Sequence, residues 1–177
     1  MPDVDPDRVV DGLRLRSVMS HHPTGVAVAA ATCDSGEPVG MVVGTFTSVS
    51  LAPPLVAFLP SRTSGTFARM RRTNSFSISV LSAQMDDVRR SFAAREQHQR
   101  WRGVRWHAAP SGAPVLDGAV AWVDCSYDSV HSAGDHYIVV GRVTCLGAAA
   151  APPLVFHDGG YGTVEPRWPL ERGLEIA

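Results

Sequence analysis

Three polar segments of the chain carry residue types that could bind a cofactor. The first, PVGMVVGTFTSVSLAPPLVAF at residues 38–58, places Gly, Ser and Thr between two apolar runs. Such a segment supplies backbone N–H groups and hydroxyls that suit a flat polar ring or a phosphate. The same composition is also typical of a Ser/Thr-rich loop that satisfies its own hydrogen bonds. Local chemistry leaves both interpretations open.

The other two segments offer an arginine and a histidine. In PSRTSGTFARMRR, Arg62 and Ser64 lie at the start of a predicted helix, where phosphate is attracted. The alternative is an ordinary helix cap with solvated arginines. In SAGDHYIVVG, His136 follows a turn and begins an apolar strand. It could face a ligand at the mouth of a barrel, or it could be a strand-end histidine in solvent.

Several other chemistries are excluded or unsupported by the residues present. All sixteen Lys and Arg residues are arginine. A pyridoxal phosphate Schiff base and a phosphate-binding loop lysine are therefore excluded. GxSxG and HExxH motifs are absent, and the histidines are scattered, so we predict neither a hydrolytic triad nor a metal site.

Composition predicts one globular domain in the cytoplasm. The chain has 177 residues, a formal net charge of −1 and three widely separated cysteines without a CxxC motif. This charge predicts no nucleic-acid partner. The cysteine pattern favours a reduced, cytoplasmic protein. No apolar run approaches the roughly 20 residues that span a bilayer, so we predict no membrane partner.

The hydrophobic pattern predicts about seven short strands and two or three helices. The helices are expected at 8–21, after an N-cap near residue 63 or 64, and at 83–95. The strands are expected at 26–33, 39–43, 55–60, 75–82, from about 119 to 131 and at 137–147, followed by a last short strand and turn within 153–162. The 75–82 run alternates polar and apolar residues, which is typical of a half-buried strand. Residues 97–109 are expected to form a loop.

Helices and strands do not alternate regularly, so a parallel doubly wound sheet is not expected. The pattern favours a small antiparallel barrel.

The chain resembles the flavin reductase family, whose members have the FMN-binding split-barrel fold. The resemblance runs in order through PTGVAVAAA, PVGMVVGTFTSVSLAPPLVAF, SRTSGTF, FSISVLS, GAPVLDGAVAWVDC, AGDHYIVVGRV and PPLVFHDGGYG. It implies a mainly β, antiparallel Greek-key split β-barrel with a few peripheral helices. The barrel domain would span 14–163, between an N-terminal arm and helix start at 1–13 and a C-terminal tail at 164–177.

The resemblance also implies an activity and a set of partners. The protein would be an NAD(P)H:flavin oxidoreductase that transfers hydride from nicotinamide C4 to flavin N5. It would use FMN or FAD, with NADH or NADPH as donor, and supply a separate monooxygenase with reduced flavin. It would be a homodimer. The choice between the two flavins and between the two nucleotides stays open.

Site residues follow from the resemblance as expectations. The ring edge would face the backbone around Val42, Val43, Gly44 and Thr45. The ribityl chain and phosphate would meet Ser48, Val49 and Ser50, with Arg62 and Ser64 continuing the phosphate site. Phe92 and Ala93 would border the ring, and Tyr161 would lie near the pyridine nucleotide. His136 would orient the nicotinamide.

One departure from the family pattern concerns the first polar segment. The commonest family version is similar to Gly-Met-Thr-x-Asn-Ser-Phe, whereas this chain has valine at 42 and glycine at 44. Two alternatives therefore stay beside the reductase hypothesis. One is a flavin-binding split barrel with other redox chemistry, and the other is a barrel that has lost flavin and acts as a binding or pathway protein.

Overall fold

The computed structural model describes residues 9–164. Residues 1–8 and 165–177 lie outside the described part, and so do most of the predicted N-terminal arm and C-terminal tail. The helices are α1 (Gly12–Met19), α2 (Gly65–Met70), α3 (Asp86–Phe92) and α4 (Gln97–Arg100), with a 3₁₀ turn at Ala83–Met85. The strands are β1 (Thr24–Gly25), β2 (Ala27–Thr32), β3 (Pro38–Val43), β4 (Thr47–Leu51), β5 (Pro54–Phe58), β6 (Ser75–Val80), β7 (Trp106–Ala108), β8 (Pro114–Leu116), β9 (Ala121–Ala133), β10 (His136–Ala148), β11 (Leu154–His157) and β12 (Gly160–Thr163).

Seven strands form the main sheet, in the order β3-β2-β6-β9-β10-β5-β4. Every neighbouring pair is antiparallel. A flat sheet of this width would separate its edge strands by about 29 Å, since neighbouring strands lie about 4.8 Å apart. Yet the edge strands β3 and β4 are joined by residues 44–46, which can reach across roughly 14 Å at most. The sheet must therefore curl strongly.

The predicted fold class is confirmed: the chain is mainly β and antiparallel, with a few helices. A three-stranded sheet, β1-β11-β12, and a two-stranded sheet, β7-β8, lie beside the main one. Within residues 9–164 no backbone ladder joins β3 to β4. Closure of the sheet into a Greek-key split barrel stays a prediction.

The outer edge of β3 is protected by the segment that was expected to be a loop. Residues 97–109 contain α4 and β7, so that expectation was wrong in part. Gln97 accepts a hydrogen bond from the Gly40 amide at 3.2 Å, and Arg100 donates one to the Gly40 carbonyl at 3.0 Å. These contacts satisfy an edge that would otherwise be free to pair with another chain.

Two other expectations about strands were wrong. No strand was expected between residues 43 and 55, but residues 47–51 form β4, paired with β5. Strand β6 was expected to be half-buried, but both of its faces are covered. Its serines lie against β8, where Ser77 donates to the Pro114 carbonyl and Ser79 accepts from the Leu116 amide at 3.1 Å. The alternating serines of β6 therefore form a buried, hydrogen-bonded face. Sequence periodicity alone does not distinguish such a face from a solvent-exposed one.

The N-terminal helix forms with an exposed apolar surface. Asp11 caps it by accepting from the Arg14 amide at 2.7 Å. Gly12 is its first residue, so this glycine does not weaken the helix interior. None of the helix residues is buried, and its apolar side chains are exposed.

The core centres on aromatic rings beneath the long hairpin of β9 and β10. Phe76 is fully buried, with its ring centroid 5.3 Å from that of Phe58 and 4.8 Å from that of Tyr127. Gly141 in β10 lies directly over Phe76. A Cβ at Gly141 would also lie 3.1 Å from the Cβ of Cys125. The glycine thus leaves the space that the ring fills.

We expect Gly141→Ala to lower the free energy of unfolding by roughly 1–3 kcal/mol, because the added methyl overlaps a closely packed ring. Chemical denaturation followed by tryptophan fluorescence measures the change. Gly12→Ala is the matched control, since a Cβ there meets nothing within 4 Å. Equal stability of the two variants would contradict this account of the core.

Candidate active site

A row of three side chains crosses the small sheet. Thr24 of β1 lies opposite Phe156 of β11, and Phe156 lies opposite Tyr161 of β12. Directly opposed residues of an antiparallel pair point to the same face. The Phe156 and Tyr161 ring centroids are 5.1 Å apart. Together they form one wall, aromatic at one end and carrying a hydroxyl at the other.

A tight turn fixes this wall and anchors α1 to it. Asp158 and Gly159 have φ values of 48° and 80°. Two positive φ values are what a two-residue hairpin of type I′ requires. The Asp158 amide donates to the Ser20 carbonyl at 2.9 Å, and Ser20 Oγ lies 3.2 Å from Asp158 Oδ1. The end of α1 is thereby held against the hairpin, which positions Met19 and His22.

The facing wall is the end of strand β3. Val42, Val43, Gly44 and Thr45 line a cavity of about 310 Å³ together with the row across the small sheet. The cavity is also lined by Met19, His22, Gly25 and Val26. A second cavity, of about 510 Å³, shares Thr24 and Gly44 and extends along Phe46 and Thr47. The first polar segment thus borders an open, mostly apolar cleft with few polar groups, as small-molecule sites do.

Arg89 and Asp86 hold the ring of Tyr161 in place. The Arg89 guanidinium carbon lies 3.9 Å from the centroid of the Tyr161 ring. Arg89 Nε donates to Asp86 Oδ1 at 2.6 Å, and Arg90 pairs with the same carboxylate at 2.7 Å. The hydrogen bond from Arg89 lowers the pKa of Asp86 below its usual range. Helix α3 therefore braces the cavity wall with a cation on the ring face.

The second and third polar segments meet beside Thr45. The Thr45 hydroxyl accepts from the Leu59 amide at 3.0 Å. Just after Leu59, the Pro60 carbonyl accepts from the Tyr137 amide at 2.9 Å, and the Arg62 amide donates to the Asp135 carbonyl at 2.9 Å. The sheet register therefore brings all three polar segments to one end of the sheet.

His136 lies at this end but does not line either cavity. Its Nδ1 is 2.8 Å from Asp135 Oδ1, and this hydrogen bond lowers the pKa of Asp135. The side chain of His136 is 43% exposed, so it remains accessible to a ligand.

The remaining residues that were expected near the phosphate lie on strand β4 and at the start of helix α2. Ser48, Val49 and Ser50 lie on the edge strand β4, one strand from the loop that carries Arg62. Ser64 caps α2 by accepting from the Phe67 amide at 3.1 Å.

Phe92 and Ala93 do not line the two cavities. Phe92 is buried against Trp101, at a centroid distance of 5.1 Å, and Ala93 is exposed just after α3. In this structure neither borders the cavity where the flavin ring was expected.

The residues of the first cavity that were not selected from the sequence include His22, Thr24 and Phe156. The HDGG run could have indicated Phe156, because a two-residue Asp-Gly turn predicts which flanking residues pair. Thr24 and His22 had no comparable signal, since strand β1 is two residues long and its partner is distant in sequence.

Within residues 9–164, no group of three or more His, Cys, Asp or Glu is arranged to hold a metal ion. The same part of the chain has no helix long and apolar enough to cross a bilayer.

Comparison with known proteins identifies the family. The model of the flavin reductase like domain matches residues 19–165. The chain belongs to this family. It is 42% identical over 154 residues to a flavin reductase from Pseudomonas putida, covering 86% of this chain and 90% of that protein. It is 37% identical to HsaB, the reductase subunit of a flavin-dependent monooxygenase from Rhodococcus jostii, covering 89% of this chain and 80% of that protein.

A solved structure agrees with these relatives. An NADH:FAD oxidoreductase from Streptomyces globisporus, in complex with NAD and FAD fragments, superposes with a TM-score of 0.83 at 33% identity. The alignment covers 94% of this chain and 99% of that one. The resemblance found in the sequence is confirmed, and with it the predicted class of activity, an NAD(P)H:flavin oxidoreductase.

Tyr161 was expected near the pyridine nucleotide, but it lines the same cavity as the strand end that was expected to face the flavin ring. We therefore expect Tyr161→Ala to weaken FMN binding about tenfold, because the cavity loses an aromatic wall. Stability should change little, since Tyr161 is 45% exposed. Quenching of FMN fluorescence gives the dissociation constant. His157→Ala is the control, because this exposed residue of the same hairpin does not line the first cavity, the one of about 310 Å³. Equal FMN affinity of both variants would contradict the placement of the ring.

Proposed function

We propose that the protein reduces FMN or FAD with NAD(P)H in the cleft between β3 and the small sheet, and releases the reduced flavin to a separate monooxygenase. The two bound ligands would supply the hydride chemistry, which is transfer from C4 of the nicotinamide to N5 of the flavin. The observation that supports the site most directly is the pair of facing walls. Phe156 and Tyr161 lie on one side, and the side-chain-free backbone at Gly44 lies on the other.

The residues present fit a flat ring. A cavity of about 310 Å³ lies at the lower end of the range for small-molecule sites, and it continues into the second cavity. Gly44 has no Cβ, and a Cβ there would lie 3.1 Å from Thr24 Oγ1, so the glycine lets strand β1 pack closely beside this backbone at the cavity. Backbone N–H groups at Gly44 and Thr45 would stabilise negative charge that develops on the ring.

The phosphate would lie on the far side of Thr45. The edge strand β4 offers Ser48 and Ser50, and the adjacent loop offers Arg62. The Arg62 guanidinium donates to the Gly134 carbonyl at 3.3 Å and forms no salt bridge within residues 9–164. Its charge is therefore available to an anion.

Transfer to a monooxygenase is supported by the relatives and by the open cleft. HsaB of Rhodococcus jostii is named a reductase subunit of a flavin-dependent monooxygenase. In this chain Thr24, Gly44 and Thr45 line both cavities, so the cleft is continuous with solvent-exposed Thr47. A flavin bound in this cleft could therefore exchange with flavin in solution.

A homodimer is supported by the apolar surface of α1. Val9, Leu13 and Val18 are 84%, 80% and 61% exposed. Val9 precedes α1, and a run of large exposed apolar side chains of this kind is typical of an interaction site. Met19 of the same helix lines the cavity, so a second copy packed on α1 would lie next to the flavin. Cytoplasmic location and the lack of nucleic-acid and membrane partners remain predictions from the sequence.

The activity is tested by mixing the purified protein with NADH and excess FMN or FAD without oxygen. We expect fast bleaching of the flavin absorbance near 450 nm, because the cleft brings the two ligands into contact. Bound yellow colour without bleaching would favour a flavin protein with other redox chemistry. Absence of both flavin binding and bleaching would favour the alternative of a barrel that has lost flavin and acts as a binding or pathway protein.

For His136→Ala we expect the KM for NADH to rise about tenfold, the loss of roughly 1.4 kcal/mol of binding. His131→Ala is the control, since His131 lies on the same hairpin and is exposed. If His136→Ala left both hydride transfer and NADH binding unchanged, the proposed role of this residue would be wrong.

For the dimer, we expect Leu13→Glu to halve the mass measured by light scattering, because the added charge would be buried in an apolar contact. Circular dichroism of Leu13→Glu serves as the control, because an unchanged spectrum shows that the lower mass does not come from unfolding. A monomeric mass for the unmodified protein would contradict the dimer.

A further inference from the structure

We propose that Thr24 and His22 supply the side-chain hydrogen bonds to the polar edge of the flavin ring. This inference rests on the proposed function, because it assigns residues to the same cleft. Neither residue was selected from the sequence, and the end of strand β3 offers no free side chain for this task.

Of the other two polar side chains of the first cavity, one is hydrogen-bonded within the protein and the other packs through its ring. Among its lining residues, the polar side chains are His22, Thr24, Thr45 and Tyr161. The Thr45 hydroxyl is held by the Leu59 amide. Tyr161 lies against the Arg89 guanidinium. Val42 and Gly44, on the opposite wall, carry no polar side chain at all.

Thr24 is held beside the gap at Gly44. A Cβ on Gly44 would lie 3.1 Å from Thr24 Oγ1 and 3.8 Å from Thr24 Cβ. The threonine hydroxyl therefore occupies the space next to the bare backbone of Gly44. Strand pairing with Phe156 fixes its position, and the hydroxyl makes no hydrogen bond with another residue of 9–164. A ring entering the cleft would meet the Gly44 backbone and this hydroxyl together.

His22 lies two residues before Thr24 and lines both cavities. Its amide donates to the Met19 carbonyl at 3.1 Å, which ties the segment to the end of α1. Its imidazole forms no hydrogen bond or ion pair in the described part of the chain. The neighbouring His21 differs, because its Nδ1 lies 3.9 Å from Asp158 Oδ1 and it lines neither cavity. The adjacent pair thus provides a site residue and its own control.

The experiment compares two matched pairs of variants. Thr24→Val removes the hydroxyl while keeping the shape, and Thr24→Ser restores it. His22→Ala is compared with His21→Ala. For each variant the dissociation constants of FMN and FAD are measured by quenching of flavin fluorescence, together with the absorption spectrum of the bound flavin. Thermal unfolding without flavin checks that each variant folds.

We expect Thr24→Val and His22→Ala each to weaken FMN binding about five- to tenfold and to shift the flavin absorption band, as the loss of one hydrogen bond predicts. Thr24→Ser and His21→Ala should bind as the unmodified protein does. The inference is overturned if Thr24→Val and His22→Ala both bind FMN with unchanged affinity. If the unmodified protein binds no flavin, the proposed function itself has failed, and this inference falls with it.

Discussion

The three-residue connection between β3 and β4 is the constraint on which the site depends. It joins the two edges of a seven-stranded sheet, so the sheet cannot stay flat. Because the edges approach at this connection, the end of β3, the start of β4 and the loop after β5 meet there. The hydrogen bond from the Leu59 amide to Thr45 fixes this junction. This position explains why residues 44–50 are mostly polar. The stretch lines the cleft at its start and continues into β4, an edge strand of the main sheet.

The small sheet completes the cleft from the other side. Its pairing aligns Thr24, Phe156 and Tyr161, and its turn at Asp158 holds the end of α1. Backbone pairing positions each of these side chains, whereas the facing wall of the cavity at Gly44 carries no side chain of its own. This division suits an enzyme whose cofactors supply the reactivity, because the protein has only to orient two rings and exclude competing geometries.

The sequence predicted the antiparallel β class and the cap of α2, and it singled out the three polar segments that the structure brings to one end of the sheet. It did not predict β4, because Ser- and Thr-rich edge strands resemble loops in composition. The serines of β6 were predicted to face solvent, because they alternate with apolar residues. The cavity residues Thr24 and His22 were missed because their positions depend on pairing with a strand about 130 residues later in the chain. Long-range pairing leaves little trace in local periodicity.

A crystal structure of the protein with bound FMN tests the central claim most directly. The account predicts the isoalloxazine ring between Phe156 and Tyr161 on one side and Gly44 on the other, with the Thr24 hydroxyl within hydrogen-bond distance of its polar edge. The phosphate should lie beyond Thr45, toward Arg62. A ring bound elsewhere, such as the separate cavity lined by Cys33 and Arg69, would contradict the account.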